Sequence, residues 1–271
     1  FSGFLAQIGF PETAENVKND PNLKFEQPFN AAKTWTEYGN RLCGALAGLG
    51  MLIGWGWVTF RTKFKKIKLI YTINLFILVV QAWFGSIVVA SNLVPWTITL
   101  HMFLALVIIA VQIWVIHLLQ VEQAKANADK QLPVLSFPKW FKILLIVSAI
   151  ITTYQMFLGT QVREMIDEMT MQGYTRDDWS SMLGMPYLIH RTFAWLVLLL
   201  IVGMSIYNEA YGKYKVIRII GIVLLIELIT GITLAYANMP AISQVSHLLF
   251  AAVLFGLYTK VLLNLATKSI K

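Results

Sequence analysis

Four histidines stand in this chain of 271 residues, and three of them share a setting. His101, His190 and His247 each fall in the first turns of a long apolar run, whereas His117 lies near the far end of its run. Ionisable and metal-ligating groups inside apolar spans are costly and mark function more often than not. A single such histidine is explained equally well by a hydrogen bond to a neighbouring carbonyl; three at one depth point to ligation. Zinc gathers three or four close ligands, and here each half of the chain offers at most two imidazoles, on different helices. Two facing imidazoles at one depth of a four-helix bundle suit a haem, whose porphyrin supplies the other four ligands. His190 and His247 are the expected axial pair. His101 has no histidine opposite it: the matching position is Asn40, and a neutral amide is a poor iron ligand. One half therefore reads as a fixed electron-transfer haem, the other as a haem site with an open position suited to chemistry on the bound haem or on oxygen.

Two further groups belong to this reading. Glu37 precedes Asn40 by one helical turn and shares its face; it is either a proton acceptor or cation stabiliser, or an interfacial acid turned to water. Arg191, next to His190, either pairs with a haem propionate or snorkels to lipid headgroups. His117 reads as interfacial.

The elements that must position these residues are membrane spans. The chain is 57% hydrophobic and 13% charged, against roughly a quarter charged in soluble domains. Its apolar stretches approach the roughly 20 residues that cross a bilayer as helix, which excludes a β-barrel of short alternating strands. Seven runs are expected, near 35–60, 69–91, 95–119, 140–162, 186–207, 216–237 and 241–266, preceded by a polar extramembrane segment over 1–31. Of the 22 Lys and Arg, 15 fall in alternate loops and at the C-terminus, among them Arg61, Lys65, Lys125, Lys139, Lys213 and Lys260. Acids such as Glu164, Asp167 and Asp177 fall on the other side. The basic side is expected to be the inside, with the N-terminal segment outside and the C-terminus inside. The net charge of +8 is then a topology signal, and nucleic acid drops out as a partner. The single cysteine, Cys43, excludes an intrachain disulfide.

The runs repeat. Asn40-Arg41 aligns with His190-Arg191, Gln81-x3-Gly85 with Glu227-x3-Gly231, and His101 with His247. The step from glycine to histidine is 16 residues in both copies, across turns holding Asn92 and Pro95 or Asn238 and Pro240. Gln155-x3-Gly159 closes an extra helix before the second copy, with no counterpart before the first. The expected fold class is thus all-α integral membrane, two pseudo-symmetric four-helix bundles with the first helix missing. The divisions are 1–31 outside, 32–119 for the N-terminal half-bundle, 120–139 for an inner loop and 140–271 for the C-terminal bundle.

Taken together, Thr36-Glu37-Tyr38-Gly39-Asn40-Arg41-Leu42, Pro95 to His101, Gln155-x3-Gly159-Thr160, His190-Arg191 and Ser246-His247-Leu248-Leu249 resemble the haem A synthase family, membrane enzymes that convert haem O to haem A. The resemblance runs from Trp35 onward. It implies that His190 and His247 ligate a haem b, that His101 ligates the substrate haem with Asn40, Arg41 and Arg191 among the haem-binding residues, and that Glu37 is the acid needed for methyl oxidation. The implied reaction is stepwise hydroxylation of one porphyrin methyl to a formyl, with electrons arriving through haem b. The implied setting is a bacterial cytoplasmic or mitochondrial inner membrane. The implied partners are the haem substrate, the lipid bilayer, a haem O synthase or an oxidase subunit, and a second copy of the chain. Three features depart from the family: Asn40 stands where a histidine is usual, the outer-loop cysteine pair is absent, and so is the first span. The competing reading is a haem b-binding electron-transfer or oxidase-assembly subunit without methyl-oxidising activity. A repeat-built transporter ranks lower, because its helices would break at mid-membrane.

Overall fold

Seven helices account for nearly all the described residues of the chain, which in this computed structural model are 31–90, 94–127, 137–175, 178–179, 182–237 and 239–267. The helices are α1 (Ala31–Arg61), α2 (Lys65–Ala90), α3 (Pro95–Ala126), α4 (Lys139–Met171), α5 (Met185–Tyr207), α6 (Lys215–Tyr236) and α7 (Ala241–Ala266). All seven contain a stretch long and apolar enough to cross a membrane, and no strand occurs among the described residues. A helix pairs its own backbone donors and acceptors, which is what a hydrocarbon solvent demands. The chain is an integral membrane protein. The expected segment 1–31, apart from Ala31 itself, lies outside the described residues, as do Asn92, Lys130, Asp177, Asn238, Lys268 and Lys271.

Prolines set where the spans begin. Pro186 lies in the first turn of α5, and Pro138 and Pro240 cap α4 and α7; there the missing N–H costs nothing. Helix α5 ends in one π turn, Asn208–Gly212, closed by Lys213 in the left-handed region at φ 52°. Buried Asn208 ties this turn to α6 by donating to the Tyr214 carbonyl and accepting from the Tyr214 N–H. Arg218 reaches back to both carboxylate oxygens of Glu209, at 2.9 and 2.7 Å.

Two helices outrun the expected spans. Helix α3 continues to Ala126, into the segment read as a loop from 120, and α4 continues to Met171 rather than ending near 162. The extensions are polar but rich in helix formers, and i,i+3 or i,i+4 ion pairs run along them: Lys125 with Glu122 and Arg163 with Asp167. Such pairs and propensities extend a helix into water, where hydropathy no longer reports it.

The chain divides into two units, Phe1–Leu52 and Ile53–Lys271. The described part of the first is the leading part of α1. In the second, α4, α5, α6 and α7 pack each on the next, and α7 closes back on α4. Helix α2 packs on α3, which also lies against α4 and α7. The half of the four-helix ring nearer the basic loops is filled by Phe141, Leu145, Val197, Ile201, Met204, Ile217, Ile220, Leu254 and Val261. A Ser148–Tyr258 hydrogen bond of 2.6 Å crosses from α4 to α7 beside them. Among apolar lipid tails such packing holds helices together by close contact rather than by water exclusion. Leu145 is fully buried, so Leu145→Ala leaves a cavity; the expected cost is about 2–4 kcal/mol, read as a lower midpoint of thermal unfolding in detergent.

Candidate functional site

The other half of the ring carries the histidines. His190 is the sixth residue of α5 and His247 the seventh of α7, so both enter the bundle one to two turns from the same end. Their ring centroids are 6.4 Å apart, with planes at 82°. Two imidazoles bound on opposite sides of one metal ion, each at about 2 Å, set their centroids roughly 6 Å apart.

Each imidazole is seated against a glycine of the preceding helix. A Cβ on Gly159 of α4 would lie 3.3 Å from His190 Cε1, and a Cβ on Gly231 of α6 would lie 3.3 Å from His247 Cε1. A side chain there would push the ring out of its place. The same contact recurs between α2 and α3, where a Cβ on Gly85 would lie 3.1 Å from His101 Cε1. Four residues before each glycine stands a polar side chain. The Gln81 amide donates to the His101 carbonyl at 2.9 Å and the Gln155 amide to the His190 carbonyl at 2.6 Å. These bonds pin the backbone that carries the ring. At the third position Glu227 Oε1 lies 3.4 Å from His247 Nδ1 instead.

The polar atoms left over here are informative. His101 Nδ1, His190 Nδ1 and one oxygen each of Gln81, Gln155 and Glu227 are buried without a hydrogen-bond partner. Buried polar groups are normally paired, and at each of the three glycine–histidine contacts one such oxygen is left over. No group of three or more His, Cys, Asp or Glu that could hold a metal exists among the described residues. An ion held between His190 and His247 must therefore bring most of its ligands with it, as the iron of a macrocycle does.

A second apolar cluster lies at the end of the bundle where α5 and α7 begin. Trp179 and Leu183, from the segment after α4, are buried with Ile166 and Met169 of α4 and with Met239. Tyr187 and Leu234 pack against them. Thr175 donates to Asp178 from both its N–H and its hydroxyl, at 3.0 and 2.8 Å, which holds the Asp178 carboxyl below the usual carboxylate range. Arg163 links the rim, bonding Asp167 on its own helix and Gln244 of α7 at 2.8 Å.

His101 sits on α3 and stacks on Phe84 of α2, with centroids 6.4 Å apart. Glu37 and Arg41, on the leading part of α1, form an exposed i,i+4 ion pair of 2.5 Å, and Asn40 between them is exposed. Arg191 is exposed, its guanidinium 5.9 Å from the centre of the Tyr187 ring. His117 is buried and bonds Thr267 at the end of α7, at 2.7 Å. A cavity of about 820 Å³ runs between α3, α4 and α7, lined by Leu100, Phe103, Ile150, Phe157 and Phe255 among others, and none of the three histidines lines it. Sequence reasoning missed Thr230, whose hydroxyl lies 3.0 Å from His247 Nδ1. No spacing signal distinguishes it from any other helical threonine.

Residues 9–259 match the family model described as "Cytochrome oxidase assembly protein" (COX15-CtaA). The chain is also similar to the protein named Heme A synthase of Wolbachia sp. subsp. Brugia malayi (strain TRS). The two are 25% identical over 239 residues, which span 81% of this chain and 70% of that one.

Proposed function

The chain belongs to this family of cytochrome oxidase assembly proteins, and from that membership we propose that it is a haem A synthase-type oxidoreductase, oxidising a porphyrin methyl of haem O to a formyl. The observation that carries the site is the His190–His247 pair, 6.4 Å apart inside a ring of four helices. We assign a haem b to this pair. The glycine seats and the 6.4 Å spacing of the rings fit such a group, and no competing set of metal ligands exists among the described residues.

A haem held by two imidazoles supplies one-electron transfer. The protein's part is to hold the imidazoles at a fixed spacing, which the glycine contacts and the Gln155 bond do. His101 is assigned to the substrate haem, with Asn40, Arg41 and Arg191 as further haem-binding groups and Glu37 as the acid-base group. These roles follow the family resemblance. The basic loops are assigned to the inner side of the membrane by their excess of Lys and Arg, with the histidine end outside. Supply of haem O and delivery of the product call for a haem O synthase or an oxidase subunit as partners.

The exposed amide at Asn40, in place of a second histidine, favours one alternative: a haem b electron carrier without methyl oxidation. Pigment extraction from the purified protein, with a reduced-minus-oxidised spectrum and chromatography of the released haems, separates the two. Haem b together with haem O, its hydroxylated form or haem A is the expected result. Haem b alone selects the carrier, and a protein without haem ends both readings.

A further inference from the structure

The three glycine–histidine contacts are alike, but one of them has an added part. In α2–α3 and α4–α5 the residue before the glycine is Phe84 or Leu158, and no side chain bonds the imidazole Nδ1 of His101 or His190. In α6–α7 that residue is Thr230. Its hydroxyl donates to the Glu227 carbonyl at 2.9 Å, and the same oxygen lies 3.0 Å from His247 Nδ1.

A hydroxyl has one proton to give. Given to the Glu227 carbonyl, it leaves the Thr230 oxygen able only to accept from the ring. Nδ1 is therefore the donor and carries the imidazole proton. In a neutral imidazole the other nitrogen, Nε2, then holds a bare lone pair. Glu227 Oε1, 3.4 Å from the same Nδ1, lies ready as a second acceptor. His247 is thus set to one tautomer before any ligand arrives, and no side chain does the same for His190.

We propose that Thr230, supported by Glu227, is a positioning residue that fixes His247 in its Nδ1–H tautomer and makes it the stronger of the two ligands to the haem b assigned above; the inference rests on that assignment. A metal-bound histidine that donates its second N–H to an oxygen is oriented by it and becomes a more basic ligand. A more basic ligand favours ferric over ferrous iron. The two ligands are then unequal: His247 is pre-set and strongly donating, and His190 has no side-chain acceptor at Nδ1.

The test is a spectroelectrochemical titration of the full-length, haem-loaded protein. Thr230→Val keeps the shape and removes the acceptor. Haem b is expected to remain bound and low-spin, with the ferrous-to-ferric ratio at a fixed ambient potential raised roughly tenfold, which for one electron corresponds to a midpoint about 59 mV higher. Thr230→Ser, which keeps the hydroxyl, is expected to retain the wild-type midpoint. Glu227→Gln is expected to shift it in the same direction as Val, but less. A residue that merely packs the helices would alter melting without moving the potential.

A Val variant that holds haem b at the wild-type potential overturns the proposal and leaves the haem b assignment standing. If Val costs the haem altogether, Thr230→Ala and Thr230→Ser decide: a higher midpoint in Ala alone supports the proposal, and equal midpoints overturn it. A wild-type protein that binds no haem b removes the assignment and the proposal together.

Discussion

His190→Ala is expected to strip the low-spin haem b spectrum from the purified protein, with haem b per chain falling at least tenfold. The expectation rests on what the substitution spares as well as on what it removes. Helix α5 is held in the ring by Val197, Ile201 and Met204, all buried and about two turns or more from His190. Truncating the ring leaves those contacts intact, and the Gln155 bond goes to the His190 backbone, which remains. The helices should therefore still pack, and the loss should be of ligation alone. Changing a residue that only supports a metal ligand typically costs 10–100-fold in affinity, so removing the ligand itself should cost more. Added imidazole should restore part of the low-spin spectrum, because Gly159 keeps the vacated space open. His117→Ala is the control: His117 bonds Thr267 at the other end of α7, and its loss should leave the haem spectrum unchanged. Normal low-spin haem b in the His190→Ala protein would falsify the axial assignment.

What the sequence made legible follows from the length scales involved. A bilayer imposes long apolar runs on a helix that crosses it, so all seven spans could be read from hydropathy. The ends of α3 and α4 could not, because beyond the lipid a helix persists on local ion pairs and propensity, and Glu122–Lys125 resembles any charged loop until it is folded. The matched depth of the histidines was visible as their distance from each span start. The constant step of 16 residues between Gly85 and His101, and between Gly231 and His247, was visible too. That the glycine makes room for the ring was not, because it depends on the rotation of two helices about their axes. The same rotation decides His117, whose place in the run does not show that its ring meets Thr267. Thr230 was least legible. A helical threonine ordinarily bonds a carbonyl of its own preceding turn, as Thr230 also does; only the arrival of His247 on the next helix gives the second lone pair a use.

Glu37→Ala is expected to abolish haem A formation, by 100-fold or more, while leaving haem b content and melting behaviour near wild type. Two magnitudes support this. The Glu37–Arg41 pair is exposed and lies within one helix, where such pairs contribute about 0.3–0.5 kcal/mol. Its loss cannot unfold a bundle whose core lies elsewhere. A positioned acid-base group, by contrast, accounts for roughly 10²–10⁴ in rate. A large loss of product with unchanged stability would therefore be chemical. Arg41→Ala separates the two functions of the pair, because it breaks the same ion pair but keeps the carboxyl group. If Arg41→Ala and Glu37→Ala lose activity equally, the ion pair is what matters and Glu37 has no acid-base role of its own. If Glu37→Ala still yields wild-type haem A, the residue is an interfacial glutamate facing water. The proton must then be taken by another group, and the substrate-haem half of the assignment loses its chemical centre. The expected pattern is the asymmetric one: product lost with Glu37→Ala, largely kept with Arg41→Ala, and haem b retained in both, because the His190–His247 pair is carried by helices α5 and α7.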